Sequence, residues 1–270
     1  GLLAVLCMGS CGEEPPDDGN GFTVKVYAPV EVPKTNPVPT WAHYMPWFDT
    51  RETSASGQWG IHWTMSTRNP DNTDSTGKRE IASWFYPLIG PYASSDPALL
   101  EYHLLLMKYS GIDGVLIDWY GCSDLNDYGS IRKNAESLID QLDRVGLDFA
   151  IVYEDRTITA AVNADPGFDR IAGAQDDMLY LEQHYFTESS YITVHDKPLL
   201  LVFGPEEFHE PEEWAEILSA LTTPPCLIGL RWTSDQTSPY SSGEYIWVDN
   251  ASLDTKYAGM NTFDVFIGGA

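Results

Sequence analysis

Residues 113–121 read DGVLIDWYG, a short apolar run that ends in one acid and two aromatic residues. A run of this kind is typical of a strand that is buried on both faces, as the strands of a parallel sheet are. Ser95-Asp96-Pro97 opens a helical pattern before the run, and a second helical pattern follows it and ends at Gly146. Strands and helices that alternate in this way predict an α/β fold with a parallel sheet.

The same unit of apolar run and amphipathic stretch repeats along the chain. Seven runs predict strands, at 41–48, 113–119, 149–153, 199–203, 227–230, 245–248 and 263–267. A doubly wound open sheet also fits this alternation, but it normally carries a glycine-rich phosphate loop after an early strand, and the sequence has none. We therefore predict a (β/α)8 TIM-type barrel with the last β/α unit missing from this chain.

Composition and charge limit the classes of partner. The 270 residues contain 15 Lys and Arg against 40 Asp and Glu, a net charge of -25, which repels phosphodiesters and excludes nucleic acid as a partner. A neutral glycan fits this charge better than a polyanionic one. Nine Trp and fifteen Tyr offer flat apolar faces that can stack on pyranose rings, although large barrels also bury many aromatic residues.

Motifs for metal or serine chemistry are missing from the sequence. The six histidines show no metal-ligand spacing, and no HExxH, CxxC or GxSxG is present. Zinc hydrolase and serine hydrolase interpretations therefore lack support. We expect no cofactor and no metal.

An export signal is predicted at the N-terminus. Residues 1–9 read GLLAVLCMG, an apolar run that leads through small residues to Cys11 and is too short for a mature transmembrane helix. This pattern is typical of a lipobox, in which Cys11 carries the lipid anchor. We predict a partial signal peptide at 1–11, a tether and extended lead-in at 12–38, and a barrel domain, incomplete at its C-terminus, at 39–270.

The lipobox predicts an exported lipoprotein that is anchored in a membrane through Cys11. Acidic residues directly after the cysteine, Glu13 and Glu14, resemble surface-export signals of Bacteroidetes lipoproteins, so we expect the outer membrane or cell surface of a Gram-negative bacterium. Cys122 and Cys226 remain for the barrel, either as one disulfide or as two free thiols. The sequence does not predict an oligomeric state.

Candidate site residues follow the predicted strands, because the active site of a barrel forms at the carboxyl ends of its strands. Hydrolysis of a glycosidic bond needs two carboxyl groups, and Asp118 and Glu154 on neighbouring strands are the pair that position nominates as catalytic. Acids at strand ends also cap helices, but Asp155 can serve as the cap after the third strand. The remaining candidates are polar or aromatic: His43, Tyr44, Trp47, Trp119, Tyr120, Arg156, Glu206, Glu207, Arg231, Trp232, Asp249 and Asn250.

Histidine and tryptophan at these positions have two interpretations each. His43 is either a site residue or a core histidine whose ring is satisfied by neighbours. Trp47 and Trp119 are either core aromatics or platforms for a sugar ring. The sequence pattern leaves both alternatives open.

Three segments carry a family resemblance. They are residues 43–48 (HYMPWF), residues 87–92 (PLIGPY), and residues 111–115 (GIDGV) running into 118–121 (DWYG). They resemble glycoside hydrolase family 99 and its family 71/99-like relatives, which are retaining barrel enzymes that include endo-acting α-mannosidases and mannanases. The likeness is specific over 41–121 and looser to Gly204.

The resemblance implies functions for individual residues. It implies that Tyr44 and Trp119 line sugar subsites and that Glu154 takes the place of a sugar-binding glutamate. It also implies a catalytic pair of glutamates, three residues apart, at the end of the last strand, and we expect that pair beyond Ala270 because no earlier segment matches it. The implied function is hydrolysis of a neutral, α-mannan-like glycan, and the alternative is a non-catalytic glycan-binding surface lipoprotein with the same fold.

Overall fold

The computed structural model describes residues 28, 30, 33–35, 37–248 and 250–269. The predicted lipidation site Cys11, most of the predicted tether, and Asp249 lie outside the described residues. The strands are β1 Trp41–Tyr44, β2 Gly114–Trp119, β3 Asp148–Tyr153, β4 Thr193–Val194, β5 Lys197–Val202, β6 Cys226–Leu230, β7 Ser241–Tyr245 and β8 Val265–Ile267. The helices are α1 Ile61–Thr64, α2 Pro97–Tyr109, α3 Tyr128–Val145, α4 Arg156–Ala164, α5 Arg170–His184, α6 Pro211–Leu218, α7 Ser234–Thr237 and α8 Leu253–Tyr257, with a 3-10 turn at Met260–Thr262.

The main sheet is parallel and winds in one direction. Its order is β1-β2-β3-β5-β6-β7-β8, and the two-residue β4 pairs antiparallel with the start of β5. A doubly wound sheet reverses its strand order at a switch point. The sequential order found here has no reversal, so the α/β prediction with a parallel sheet is confirmed and the doubly wound alternative is wrong.

The sheet curls so that distant strands face each other. His43 on β1 lies 4.5 Å from Trp247, which follows β7, measured between ring centroids. Phe203, which follows β5, lies 5.1 Å from the same Trp247 ring. Because four strands separate β1 from β7 in the sheet order, these contacts require a curved wall around a common interior, as in TIM-type barrels.

Helices pack on the outer face of the curved sheet. α2 begins at Asp96, whose carboxylate accepts hydrogen bonds from the Ala98 and Leu99 amides at 2.9 and 3.2 Å, as the sequence predicted. α3 ends at Gly146, where φ of 71° requires the left-handed conformation that glycine tolerates. Buried side chains of the sheet and helices form one core, including Leu104, Ile117, Leu138, Leu142, Phe149 and Trp214.

The sixth predicted strand is placed wrongly. The prediction was 245–248, whereas β7 spans Ser241–Tyr245. The sequence of β7, SSGEY, is polar and therefore does not look like a buried strand. Its polar side chain Glu244 is nevertheless buried in an ion pair with Arg231, and Gly243 packs closely against β8. The apolar residues that suggested the strand come directly after it, which places Trp247 at its carboxyl end.

The structure bears on transmembrane helices and on the pairing of the two barrel cysteines. Within the described ranges, no helix has both the length and the apolar character needed to cross a membrane. Cys122 and Cys226 are both free thiols, so the disulfide alternative is wrong and the free-thiol alternative is confirmed.

Candidate active site

Four buried polar atoms come together at the carboxyl ends of the strands without a hydrogen-bond partner among the described residues. They are His43 Nε2, Asp118 Oδ1, Glu154 Oε2 and the Tyr245 hydroxyl. We call these four residues the central cluster. A buried polar group that lacks a partner costs about 1–3 kcal/mol, so such groups require an explanation. A ligand that supplies the missing partners is one explanation, and the cluster is therefore the candidate site.

The pleat of the strands decides which side chains reach this cluster. Asp118 pairs in register with Val152, so Asp118 and Glu154 lie on the same face of neighbouring strands, because residues two apart share a face. His43 on β1 faces the same interior, with Nε2 at 3.9 Å from Asp118 Oδ1. The two carboxyl groups that the sequence nominated are thus brought together with His43.

Burial and charge keep Glu154 neutral near neutral pH. Burial is the largest cause and the negative charge of Asp118 the next, and together they raise the pKa of Glu154 from 4.5 to about 8. Arg156 opposes this shift, with its Nε at 3.4 Å from Glu154 Oε2. A protonated carboxyl group can donate a hydrogen bond or a proton, which an ionised one cannot.

Two tyrosines face these carboxyl groups. Burial, followed by the charges of Asp118 and Glu154, raises the pKa of Tyr120 and that of Tyr245 far above the ordinary value. Both phenols therefore keep their protons at physiological pH and are hydrogen-bond donors toward the site. Tyr120 was predicted as a substrate-binding residue, whereas sequence reasoning missed Tyr245.

Aromatic side chains form one wall of the interior. Phe203 and Trp247 pack edge to face, and both are partly exposed. Neither was among the predicted site residues, because the run 245–248 was assigned to a strand and Trp247 therefore appeared to lie within it. Its position next to His43 gives the site an apolar surface beside the carboxyl groups.

Tyr44 and Trp119 lie on the opposite face of the sheet from the central cluster. The Tyr44 hydroxyl lies 3.2 Å from His103 Nδ1 on α2. Trp119 is fully buried and stacks on Tyr180 of α5 at 5.9 Å. Each immediately follows a residue that faces the interior, so the pleat turns it toward the helices. The structure places both side chains in the core, which is one of the two interpretations left open for Trp119, and the sugar-subsite role that the resemblance implies stays a prediction.

Trp47 lies in the loop after β1, beside the site rather than in it. Its ring stacks on His62 at 4.2 Å with an interplanar angle of 7°. Trp47 packs against a small cluster of buried residues that contains Tyr120, Tyr128 and Ile131. The predicted residues Trp47 and Tyr120 are thus brought together at the rim of the central cluster.

Asp155 orders a loop instead of capping a helix. It occupies the residue before α4 but makes no cap hydrogen bond. Its buried carboxylate accepts hydrogen bonds from the amides of Glu206, Glu207 and Phe208 at 2.9 to 3.1 Å. The prediction that Asp155 caps the helix is wrong, because these three amides already use both of its oxygens.

The other acidic and basic candidates lie outside the central cluster. Glu207 pairs with Arg170 on α5 at 2.8 Å, and Arg231 pairs with Glu244. Glu206 is exposed, although its charge contributes to the raised pKa of Glu154. Trp232 and Asn250 are exposed as well.

Asp177 on α5 is a positioning residue that the sequence did not reveal. Its carboxylate accepts hydrogen bonds from the Cys122 amide at 2.6 Å and from the Tyr153 hydroxyl at 2.8 Å. Burial raises its pKa to about 6. It therefore fixes the loop that carries Tyr120, but a single acid within a helix gives no sequence signal for that contact. Among the described residues, no group of His, Cys, Asp and Glu is arranged to hold a metal ion.

A curved parallel sheet with carboxyl groups and aromatic rings at the carboxyl ends of its strands has the architecture of a barrel glycosidase. The sequence profile of Glycosyl hydrolase family 99 matches residues 39–227, which is more than half of the chain. The chain belongs to this family, and the resemblance seen in the sequence is confirmed.

Curated relatives match part of the chain. A glycoprotein endo-alpha-1,2-mannosidase-like protein of Danio rerio is 27% identical over 146 residues, which are 52% of this chain and 30% of the relative. The glycoprotein endo-alpha-1,2-mannosidase of Mus musculus is 22% identical over 165 residues, 58% of this chain and 33% of that protein. The matched part of the chain thus spans about a third of these relatives.

Solved structures share the fold. The GH99 endo-alpha-mannosidase from Bacteroides thetaiotaomicron superposes with a TM-score of 0.61 at 21% identity, over 85% of this chain and 68% of that one. A structure named glycoside hydrolase-like protein gives a TM-score of 0.52 at 12% identity, over 68% and 65% of the two chains. At these identities the likeness concerns the fold alone.

Proposed function

We propose that the protein hydrolyses a neutral, α-linked mannose glycan within the chain of sugars and with retention of anomeric configuration. The observation that carries the proposal is that Glu154 and Asp118 lie together in an interior lined by aromatic rings, and that Glu154 keeps its proton near neutral pH. Family membership and the mannosidase names of the relatives support the substrate class.

The chemistry of the central cluster fits a glycan. Glycosidic hydrolysis uses one protonated and one ionised carboxyl group, and Glu154 with Asp118 offers that combination. Sugar hydroxyls both donate and accept hydrogen bonds, so they match His43 Nε2, Asp118 Oδ1 and the Tyr245 hydroxyl. Phe203 and Trp247 provide faces for the apolar C–H groups of a pyranose ring.

The test is turnover of α-mannan and mannose oligosaccharides by the full-length gene product. We expect release of oligosaccharides, with the first-formed anomer retained in proton NMR spectra. Replacing Glu154 by Gln removes the transferable proton at nearly constant shape, so we expect kcat/KM to fall by about 10²–10⁴. Glu101→Gln, an exposed change on α2, is the matched control and should leave kcat/KM unchanged.

Different results assign different roles. A loss in kcat makes Glu154 an acid in the reaction, whereas a rise in KM alone makes it a sugar ligand and leaves the catalysis to the glutamate pair that the resemblance implies. Inertness of the wild-type protein on a broad glycan panel would contradict the enzyme proposal. Binding without turnover would favour the alternative, a surface glycan-binding protein.

We propose further that the protein is exported and held in a membrane by a lipid on Cys11. The apolar run 1–9 and the small residues before Cys11 support this assignment. Cys11→Ser in the full-length gene product should move the protein from the detergent phase to the aqueous phase of a Triton X-114 partition and abolish labelling by radioactive palmitate. Unchanged partitioning and labelling would contradict the anchor.

A further inference from the structure

Arg156 differs from the other arginines, because its side chain donates no hydrogen bond to any residue that the structure describes. Each of the others donates to a carboxylate, a side-chain amide oxygen or a backbone carbonyl; they are Arg51, Arg68, Arg79, Arg132, Arg144, Arg170 and Arg231. A guanidinium carries five N–H donors in a planar fork. The donors of Arg156 are therefore uncommitted, and they lie beside the central cluster.

The side chain of Arg156 stops short of the buried acid Glu154. Its Nε lies 3.4 Å from Glu154 Oε2, and that oxygen has no hydrogen-bond partner in the described part of the chain. Hydrogen bonds between a guanidinium and a carboxylate are shorter, at about 2.7–2.9 Å. The Glu154 side chain is 6% exposed, whereas that of Arg156 is 52% exposed. A movement of about half an ångström by the exposed partner therefore completes the pair.

Arg156 supplies a permanent positive charge next to Glu154. Titratable groups surround Glu154 from β1, β2, the loop after β2, the start of α4, the loop after β5, and β7; they are His43, Asp118, Tyr120, Asp155, Arg156, Glu206 and Tyr245. An arginine stays protonated throughout the range in which these groups titrate. Its charge thus opposes the burial and the neighbouring acids that keep Glu154 neutral.

Helix stability does not explain an arginine at this position. Arg156 is the first residue of α4, where the helix dipole favours acids and opposes cations. The acid before it, Asp155, makes no cap hydrogen bond and holds the amides of residues 206–208 instead. The benefit of the positive charge therefore lies in the site and not in the helix.

We propose that Arg156 is a positioning residue for Glu154, whose guanidinium stands back from the protonated carboxyl group and closes onto the carboxylate. The inference rests on the proposed function and deepens it, because it says how the buried acid releases its proton. The exposed half of the Arg156 side chain allows the movement, and the unpartnered Glu154 Oε2 is the atom that receives it.

The proposed reaction gives this movement its purpose. Glu154 passes its proton to the oxygen of the departing sugar, which keeps the electron pair of its broken bond to the anomeric carbon, while Asp118 forms the new bond to that carbon. The carboxylate that is left at Glu154 is buried, so a cation that reaches it stabilises this step. When water later displaces Asp118 from the sugar, the proton of that water goes to Glu154 and the pair opens.

Infrared titration of the full-length protein measures the protonation of Glu154 without any turnover. The band of the protonated Glu154 is the one that Glu154→Gln lacks, and in the wild type it should disappear with a midpoint near the pKa of about 8. Arg156→Gln removes the cation, so this midpoint should rise by about one pH unit. Arg156→Lys keeps the charge and should move the midpoint less. Arg144→Gln, an exposed change on α3, is the matched control and should not move it.

The kinetics of Arg156→Gln on α-mannose oligosaccharides separate a positioning role from a fold defect. We expect kcat to fall by about tenfold, the equivalent of one pKa unit, with KM nearly unchanged. The alkaline limit of kcat/KM should move to higher pH at the same time, because Glu154 keeps its proton longer. A destabilised protein loses rate without this shift, and Arg156→Lys should recover part of the rate.

The outcomes distinguish the proposal from the function on which it rests. Hydrolysis by the wild type with a midpoint that Arg156→Gln does not move would overturn the proposal alone, as would a wild type without the Glu154 band. A rise in KM alone would make Arg156 a ligand of the glycan and overturn its positioning role. A midpoint that moves in a protein that hydrolyses no glycan would support the pairing with Glu154 and overturn the proposed function.

Discussion

Trp119→Ala will lower the free energy of unfolding by about 3–5 kcal/mol, the usual cost of emptying a large buried aromatic site. The Trp119 ring is fully buried between β2 and α5, with Tyr180 at 5.9 Å and Tyr185 at 6.3 Å. A domain of this kind is stable by only about 5–15 kcal/mol, so the variant will lose a large part of its stability. Binding of glycan by the molecules that remain folded should not change.

Urea unfolding of wild type and variant measures the stability, and glycan titration at low temperature measures the affinity. Trp84→Ala is the matched control, because the Trp84 side chain is 92% exposed and should change the unfolding free energy by less than about 0.5 kcal/mol. If Trp119→Ala stays stable and loses glycan affinity instead, the ring contacts sugar as the family resemblance implied. The core assignment made from the structure would then be wrong.

The fold was predicted well where the sequence pattern and the burial agree. The run at 113–119 is apolar because β2 is buried on both faces, and Asp96 and Gly146 mark helix ends through local geometry alone. β7 was misplaced because its polar residues are satisfied by distant partners, above all Arg231 for Glu244. A contact across 13 residues leaves no trace in the local pattern.

The sequence predicted only part of the candidate site. Asp118 and Glu154 were found because strand ends mark the functional edge of a barrel. The sequence left Trp119 open between a core aromatic and a sugar platform, and the pleat, which turns neighbouring residues to opposite faces, places it in the core, on the face opposite Asp118. Tyr245 and Asp177 contribute through the curl of the sheet and through helix packing, which a linear pattern does not contain.

Glu154→Gln will make the protein more stable in alkaline solution while reducing its activity. The folded-state pKa of Glu154, about 8, lies above the ordinary value of 4.5. The stabilisation from its bound proton is therefore complete below about pH 4.5 and is lost as the pH rises through 8. Glutamine keeps the neutral shape and does not titrate, so the variant should match the wild type at pH 4 and exceed it at pH 9.

Urea unfolding of both proteins between pH 4 and 9 measures this difference. The stability gap should widen with pH by at most about 1.4 kcal/mol per unit, the limit for one proton, and level off above pH 8. Asp177 also titrates in this range, with a pKa of about 6, but it does so in both proteins and cancels in the difference.

Asp118→Asn separates the causes of the raised pKa. Removing the Asp118 charge takes away the second-largest cause, so the pKa of Glu154 should fall. The stability gap between Asp118→Asn and the Asp118→Asn, Glu154→Gln double variant should then level off at a lower pH and at a smaller value. A gap that is flat from pH 4 to 9 would mean that Glu154 has the same pKa in the folded and the unfolded protein, and would contradict the raised pKa. A carboxyl group kept neutral at a cost in stability is typical of a functional site, because a purely structural position gains nothing from retaining the acid.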